Sequence, residues 1–174
     1  MATLLSEKAL GSIVKLKENG VAQEFYVAKH GYPTSGNGRT LLVRRYIYDT
    51  RQWHTSNVNA YASSALDSWF NSTYYNLLDA DIKAQIAAVA IPYTPGNGVT
   101  SVSTLSRKIF ALSVTELGKT ASYANVEGSA LSIASSLQIA YNSSGSAVTQ
   151  WTRSPRTDYA GGACYLNADG NVSD

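Results

Sequence analysis

The first third of the chain alternates apolar and polar side chains, as half-buried strands do. Ile13-Val-Lys-Leu-Lys17 has this period of two. Asn19-Gly20, a dipeptide typical of two-residue hairpin turns, follows it, and Glu24 to Lys29 is the predicted return strand. Leu41 to Tyr48 predicts a third strand, apolar enough in its first half to be central in a sheet. Glycines punctuate residues 30–38 and predict a surface loop. The chain is therefore expected to open with an antiparallel hairpin and one further strand.

The middle third changes to helical spacing. Ser63 or Ser64 is placed to cap a helix, and Asp79 is placed to cap a second one that contains Ile82 and Ile86. The apolar face of the first helix, with members three and four apart, comprises Leu66, Trp69, Phe70 and Thr73. Two central helices are therefore expected.

Extended segments and turns follow the helices. Residues 89–93 predict a strand, 94–104 a loop, and 108–112 a short buried strand. Ser113-Val-Thr-Glu116 has the spacing of a capping box and predicts a short helix.

Antiparallel strands are expected at the end of the chain. Residues 148–153 and 163–166 predict strands, and Asp169-Gly170 predicts a hairpin turn into Val172. Four residues follow that turn, so we expect another element to cover this sheet edge. Together the patterns predict a single α+β domain over residues 1–174.

Composition narrows the classes of function. Charged residues make up 15% of the chain and hydrophobic residues 44%, which argues against disorder. No apolar run is long enough for a membrane span, and no signal peptide is visible at the start. The net charge is +2 and the basic cluster Arg39, Arg44, Arg45 and Arg51 is small, so a solvated strand face is favoured over nucleic-acid binding.

Catalytic and metal-binding patterns are sparse. The serines lack the Gly-x-Ser-x-Gly spacing of hydrolases, and neither His30 nor His54 lies in a recognisable motif. Cys164 is the only cysteine, and we expect it to be a small buried apolar residue. We expect no metal and no cofactor, although a carboxylate pair of the glycosidase kind stays open as an alternative.

The high tyrosine content is the feature of the composition that most favours a binding function. Twelve tyrosines accompany many Ser, Gly and Asn residues, a composition typical of adaptable binding surfaces. Packing of the individual rings in the core is the alternative reading.

Several blocks together resemble a bacterial and bacteriophage family, domain of unknown function 6273. The N-terminal hairpin, Ser64 to Asn71 with Trp69, and residues 86–92 and 108–118 are similar to successive blocks of that family. Trp151-Thr-Arg153-Ser-Pro155, followed by Asp169-Gly170, resembles its Trp-Leu-Arg-Ser-Pro signature and trailing hairpin. Thr152 and Phe70 replace leucines of the family pattern, and the family continues into a further strand. We therefore expect either a longer protein or a partner chain that supplies the closing strand.

The resemblance implies a C-type-lectin-like fold, common in phage receptor-binding and tail-associated proteins. Some relatives are diversified at exposed residues near the C-terminus. In this sequence that surface would comprise Arg156, Thr157, Asp158, Tyr159, Asn167, Asp169 and Asn171. Trp69, Asn71, Trp151, Arg153 and Pro155 are expected to be structural, with Trp151 and Arg153 on one face of a strand so that guanidinium and indole stack.

The expected function is a non-enzymatic binding or assembly module in a phage or prophage virion. Its partners would be other virion proteins or a host cell-surface protein or glycan, and we expect a homo-oligomer located in the virion, or in the cytoplasm before assembly. Two alternatives stay open: a carbohydrate-active or cell-wall hydrolase with a carboxylate pair, and a structural domain that decorates a capsid or tail.

Overall fold

The computed structural model describes residues 4–34 and 38–174 and contains several antiparallel sheets with few helices. The chain is therefore a mixed α/β protein. Part of the predicted loop at 30–38 lies outside the described residues.

The N-terminal sheet contains β1 (Ile13–Glu18), β2 (Val21–His30) and β3 (Thr40–Arg44) in that order, all antiparallel. Asn19 and Gly20 have φ angles of 50° and 77°, so the predicted hairpin turn is confirmed. The prediction of a central third strand is wrong, because β2 is central. The third strand is also shorter than predicted and ends before its Arg45-Tyr46 segment.

The helical segment begins where predicted. Helix α1 (Ala65–Trp69) starts at Ser64, whose hydroxyl accepts a hydrogen bond from the Asp67 amide. A π-helical turn (Phe70–Tyr74) follows and leads into α2 (Tyr75–Leu77). This wider turn shifts the apolar face by one residue, so Tyr74 is buried where Thr73 was predicted.

Helix α3 (Ala80–Gln85) also begins at its predicted residue, Asp79, but the carboxylate does not cap it. Asp79 Oδ1 instead accepts a hydrogen bond from the Gly20 amide at 3.0 Å. The start of this helix is thereby attached to the N-terminal hairpin. Single 3₁₀ turns lie at Leu5–Glu7, Tyr61–Ser63 and Ala134–Ser136.

Strands β4 (Val89–Tyr93) and β5 (Ser103–Arg107) form a two-stranded antiparallel sheet. The predicted strand at 108–112 is wrong, since the strand lies just before it and residues 108–112 are irregular. Ser113 to Gly118 form a turn rather than a helix.

The C-terminal part contains five strands. β6 (Ala140–Tyr141) pairs with β7 (Ala147–Val148), and β8 (Gln150–Pro155) pairs with β9 (Ala163–Leu166). β9 also pairs with β10 (Val172–Ser173) across the predicted Asp169-Gly170 turn, which is confirmed. The expected antiparallel C-terminal sheet is present.

Two clusters of buried side chains hold these elements together. One joins the N-terminal sheet to β9 and to residues 117–137, through Ala28, Leu117, Leu131, Ala134, Leu137 and Leu166. The other surrounds Trp53 and comprises Tyr32, Tyr61, Leu66, Ile91 and Ala111 besides that ring. Tyrosine rings therefore contribute to the core, as one of the two readings of the composition predicts. Over residues 4–34 and 38–174, no helix is long and apolar enough to cross a membrane.

Candidate functional site

A buried ionic cluster lies at the centre of the C-terminal half. Arg153, in the signature block on β8, has no solvent exposure. Its Nη1 donates to Glu116 Oε2 at 2.6 Å and to the Ala111 carbonyl at 2.9 Å, and its Nε donates to the Pro92 carbonyl at 2.8 Å. One side chain therefore connects β4, the irregular segment after β5, and β8.

Glu116 is positioned by the capping-box motif predicted from the sequence. Its amide donates to Ser113 Oγ at 3.0 Å, and the Ser113 amide donates to Glu116 Oε2 at 3.1 Å, so both halves of the box are present. The other carboxylate oxygen accepts the Tyr32 hydroxyl at 2.5 Å. The motif thus forms, although its single turn serves to present a carboxylate to Arg153.

Glu127 is the second buried carboxylate of the cluster. Its Oε1 accepts the Thr94 amide at 2.5 Å and its Oε2 accepts the Ser154 hydroxyl at 2.6 Å. Burial raises the pKa of Glu127, against the lowering effects of Arg153 and of these hydrogen bonds. Each oxygen of Glu116 and Glu127 therefore has a donor inside the protein, and neither side chain faces solvent.

The predicted stacking of Arg153 on Trp151 is wrong. The pairing of β8 with β9 is irregular between Trp151 and Pro155, and this bulge separates the two side chains. Trp151 is 36% exposed, packs edge-on against Tyr165 and donates to the Arg51 carbonyl at 2.9 Å. The Arg153 guanidinium lies instead 5.8 Å from the centre of the Phe110 ring.

The other signature residues also join segments of the chain. Asn71 Nδ2 donates to the Ile109 carbonyl at 2.9 Å, which attaches the π-helical turn to the segment after β5. The Trp69 ring lies under the Arg51 guanidinium at 4.0 Å, and Pro155 is buried at the end of β8. These contacts are made within the chain, and the structural role expected from the sequence stays a prediction.

Beyond β8 the chain forms a loop, residues 156–162, whose backbone is held by Asn59. This fully buried residue places Nδ2 2.9 Å from the carbonyl oxygens of Arg156, Tyr159 and Gly162. The backbone amide of Asn59 donates to the Ala160 carbonyl at 2.8 Å. Sequence reasoning missed Asn59, because no local pattern distinguishes a buried asparagine from the exposed ones around it.

Asn59 is itself fixed by the loop before β5. Its Oδ1 accepts the Asn97 amide at 2.6 Å. Gly96 has a φ of 79°, and a Cβ at that residue would lie 2.2 Å from the Asn59 carbonyl oxygen. Only glycine allows this close approach, so the irregular 94–102 segment supports the 156–162 loop from behind.

Arg156 and Asp158 form the charged part of this loop. Arg156 pairs with Asp158 at 2.8 Å and with Asp174 at 2.5 Å, and its guanidinium lies 4.7 Å from the Tyr123 ring centre. The hydrogen bond from Arg156 lowers the pKa of Asp158. Thr157 is half-buried and bonds to the Tyr123 carbonyl, whereas Asp158 and Tyr159 are exposed.

The second predicted segment is a compact turn. Asn167 Oδ1 accepts the amides of Asp169 and Asn171, each at 3.0 Å, and the side chains of Asp169 and Asn171 are exposed. This turn follows β9, whereas the 156–162 loop precedes it. The two segments therefore lie at opposite ends of a four-residue strand, about 13 Å apart along the backbone, and are called the two C-terminal patches below.

The remaining candidates have ordinary structural partners. His30 contacts the Thr40 hydroxyl and the Lys8 carbonyl, and His54 contacts Ser56. Cys164 is buried, as expected, and burial raises the pKa of its thiol to about 12. Of the basic cluster, Arg44, Arg45 and Arg51 each pair with a carboxylate. No group of three metal-ligating side chains occurs within residues 4–34 and 38–174.

Comparison with known proteins gives one family. The model of the family described as domain of unknown function (DUF6273) matches residues 37–174, which include both patches and the ionic cluster. No curated protein and no solved structure matches the chain.

Proposed function

The chain belongs to the DUF6273 family, and on this premise we propose that it is a non-enzymatic binding and assembly module of a phage or prophage virion. The lectin-like arrangement of its elements and its assembly into a homo-oligomer are parts of this proposal. Its partner would be a host cell-surface molecule or another virion protein.

The observation that carries the proposal is the backbone support of the 156–162 loop. Three carbonyls of the loop accept hydrogen bonds from the buried side-chain amide of Asn59. Strand β8, which immediately precedes the loop, is anchored by Arg153 through Glu116. A loop held in this way loses little conformational entropy when it binds a partner. The main chain is thus preorganised while Asp158 and Tyr159 project from it.

The exposed chemistry of the loop suits a partner with polar groups. Tyr159 is 52% exposed, and its hydroxyl accepts a hydrogen bond from Asn57 Nδ2 at 3.0 Å, so the ring is oriented. A tyrosine offers a large contact area at a small entropic cost, and the neighbouring Asp158 and Arg156 add charge. Such a patch fits a protein or glycan surface.

The buried carboxylates favour this proposal over the hydrolase alternative. Glu116 and Glu127 are two carboxylates with almost no solvent exposure that both belong to the ionic cluster, and the pKa of Glu127 is raised as in many catalytic acids. A glycosidase needs its two carboxylates in a cleft that admits substrate and water. Here Arg153, Ser154, Tyr32 and backbone amides occupy all four carboxylate oxygens.

The test is binding of the fluorescently labelled chain to a panel of intact Gram-positive and Gram-negative bacteria. We expect saturable binding to a subset of strains and its loss in the double variant Asp158→Ala/Tyr159→Ala. The matched control is Tyr48→Ala/Asp49→Ala, which removes the same two exposed side-chain types from another loop.

Binding to no strain, or equal loss in both double variants, would refute the role of this loop. Light scattering on the same sample measures the assembly state, and a closed oligomer is the expected result. Release of reducing sugar from purified cell walls by the wild-type chain would instead favour the hydrolase.

A further inference from the structure

A groove of about 320 Å³ lies between the end of β3 and the β6–β7 hairpin. Its volume is within the range of small-molecule binding sites, which begins at about 300 Å³. The groove is distinct from both C-terminal patches, because none of their residues lines it. Its aromatic side chains are Tyr26, Tyr46 and Tyr141.

The three tyrosines contribute aromatic ring surface and hydroxyl groups to the groove. Tyr141 is 41% exposed and is the most accessible of them, whereas the Arg45 guanidinium covers one side of Tyr46 at 5.1 Å. Over the described residues 4–34 and 38–174, none of the three hydroxyls has a hydrogen-bond partner. The groove therefore presents apolar ring surface next to unused donors and acceptors.

Gln150 adds an oriented acceptor to the wall of the groove. Its Nε2 donates to the carbonyls of Leu137 and Gln138, at 2.7 and 3.2 Å. Both amide hydrogens are thereby used, which fixes the amide and leaves Oε1 for a ligand hydroxyl.

Charge in the groove is balanced. Arg44 and Arg45 line it, but they pair with Glu18 and Glu24 at 2.9 and 2.7 Å. Among the described residues that line the groove, none carries a carboxylate. A ligand therefore meets a polar site without net charge, which favours a neutral ligand over an anion.

The backbone around Tyr141, the most exposed of the three tyrosines, is held by hydrogen bonds. The Tyr141 carbonyl accepts the Ile47 amide at 2.9 Å, so a backbone bridge holds β6 to the segment after β3. At the tip of the hairpin, Asn142 Oδ1 accepts the amides of Ser144 and Ser146 at 3.1 and 2.9 Å. The backbone that carries Tyr141 is thus held in place before any ligand arrives.

We infer that this groove binds a neutral glycan, with a sugar ring stacked on Tyr141 and sugar hydroxyls bonded to Gln150 Oε1 and to the tyrosine hydroxyls. Pyranose rings have an apolar face of C–H groups and a rim of hydroxyls, which matches this combination of ring, amide and hydroxyl. The inference deepens the proposed binding function by naming a ligand class, and rests on that function for its biological setting only.

The experiment screens the full chain on an array of neutral oligosaccharides (hexose, N-acetylhexosamine and deoxyhexose) and of sialylated, uronate and sulfated ones. The best ligand is then titrated by calorimetry. We expect a neutral ligand, with an affinity that changes less than about twofold between 50 and 500 mM salt, because no net charge is involved.

Variants locate the binding. Tyr141→Ala should weaken it roughly ten- to thirtyfold, whereas Tyr141→Phe, which keeps the ring, should weaken it only a few-fold. Tyr48→Ala, at a tyrosine that is similarly exposed (44%) but does not line the groove, is the matched control and should leave the affinity unchanged. Thermal melting of each variant confirms that it is folded.

Three outcomes would overturn the inference: no neutral glycan bound, binding of acidic glycans alone, or a loss of affinity in Tyr141→Ala no greater than in Tyr48→Ala. These results are independent of cell binding through Asp158 and Tyr159. Failure of the groove and failure of the proposed function are therefore distinguishable.

Discussion

Replacement of Arg153 by methionine tests whether this buried guanidinium holds β4, the segment after β5 and β8 together. The guanidinium has no exposure and makes hydrogen bonds to Glu116 and to the carbonyls of Pro92 and Ala111. Methionine fills similar space but leaves the Glu116 carboxylate without its charged partner. Three segments that now meet at one side chain would lose that connection.

The expected cost is large compared with the stability of an ordinary domain. Removal of one partner from a buried ion pair costs about 3–5 kcal/mol, and the two carbonyls left without a donor add to that. Domains of this size are stable by about 5–15 kcal/mol. Arg153→Met should therefore lie close to the unfolding threshold at room temperature.

A double-mutant cycle separates the pair from general loss of packing. Urea denaturation, followed by the fluorescence of the three tryptophans, is applied to wild type, Arg153→Met, Glu116→Gln and the double variant. We expect the double variant to be more stable than the sum of the single changes predicts, by about 0.5–3 kcal/mol.

Arg156→Met is the control, because Arg156 also pairs with carboxylates but at the surface. Its urea midpoint should match that of wild type, since solvent screens the pair. Additive effects in the cycle, or equal loss in Arg153→Met and Arg156→Met, would refute the assignment of Arg153 as the buried anchor.

Three further predictions concern the loop, pH and the cysteine. Asn59→Ala removes the side-chain donor shared by three carbonyls, of which those of Tyr159 and Gly162 keep the backbone amides of Gly162 and Arg156 as donors. We expect it to cost about 1–3 kcal/mol and to speed hydrogen exchange in residues 156–162, and unchanged exchange would contradict the support role. Burial raises the pKa of Glu127 in the folded protein, so its contribution to stability is present below the usual pKa of 4.5 and is lost as pH rises. The urea midpoint of wild type should therefore fall relative to that of Glu127→Gln above pH 4.5. A constant difference between the two midpoints at all pH values would be the contrary result. Burial raises the pKa of Cys164 to about 12, so iodoacetamide at pH 8 should label it after denaturation only, and stoichiometric labelling of the native chain would show the thiol to be accessible.

Local patterns in the sequence predicted the local structure well. Asn19-Gly20 and Asp169-Gly170 form the expected turns, and the positive φ angles of Asn19, Gly20 and Gly170 are ones that asparagine and glycine adopt readily. Ser64 caps its helix for a similar reason, since the hydroxyl is within reach of an amide three residues on.

Departures from regular geometry explain where the predictions failed. The π-helical turn at Phe70–Tyr74 adds a residue to the helical repeat, so Tyr74 replaced Thr73 on the buried face. The bulge in β8 broke the alternation that placed Trp151 and Arg153 together. Both deviations depend on contacts with distant segments, which a period of two or 3.6 does not contain.

The candidate site was predictable only in part. Residues 156–159 were identified through the family resemblance, but the groove around Tyr141 and the partners of Arg153 were not. Glu127 and Tyr32 lie far along the chain from Arg153 and Glu116, and only the fold brings them together. Buried polar groups of this kind have no local sequence signal.

The way in which Asn59 holds the 156–162 loop has a consequence for evolution. Its hydrogen bonds go to carbonyl groups, which every residue type carries, and not to the side chains of the loop. Changes at Thr157, Asp158 and Tyr159 therefore leave the support intact, whereas Gly162, where a Cβ would lie 2.6 Å from Arg156 Cδ, is constrained. A library randomised at residues 157–159 should consist mostly of folded proteins, so the exposed side chains of this loop can diversify while its framework is inherited unchanged.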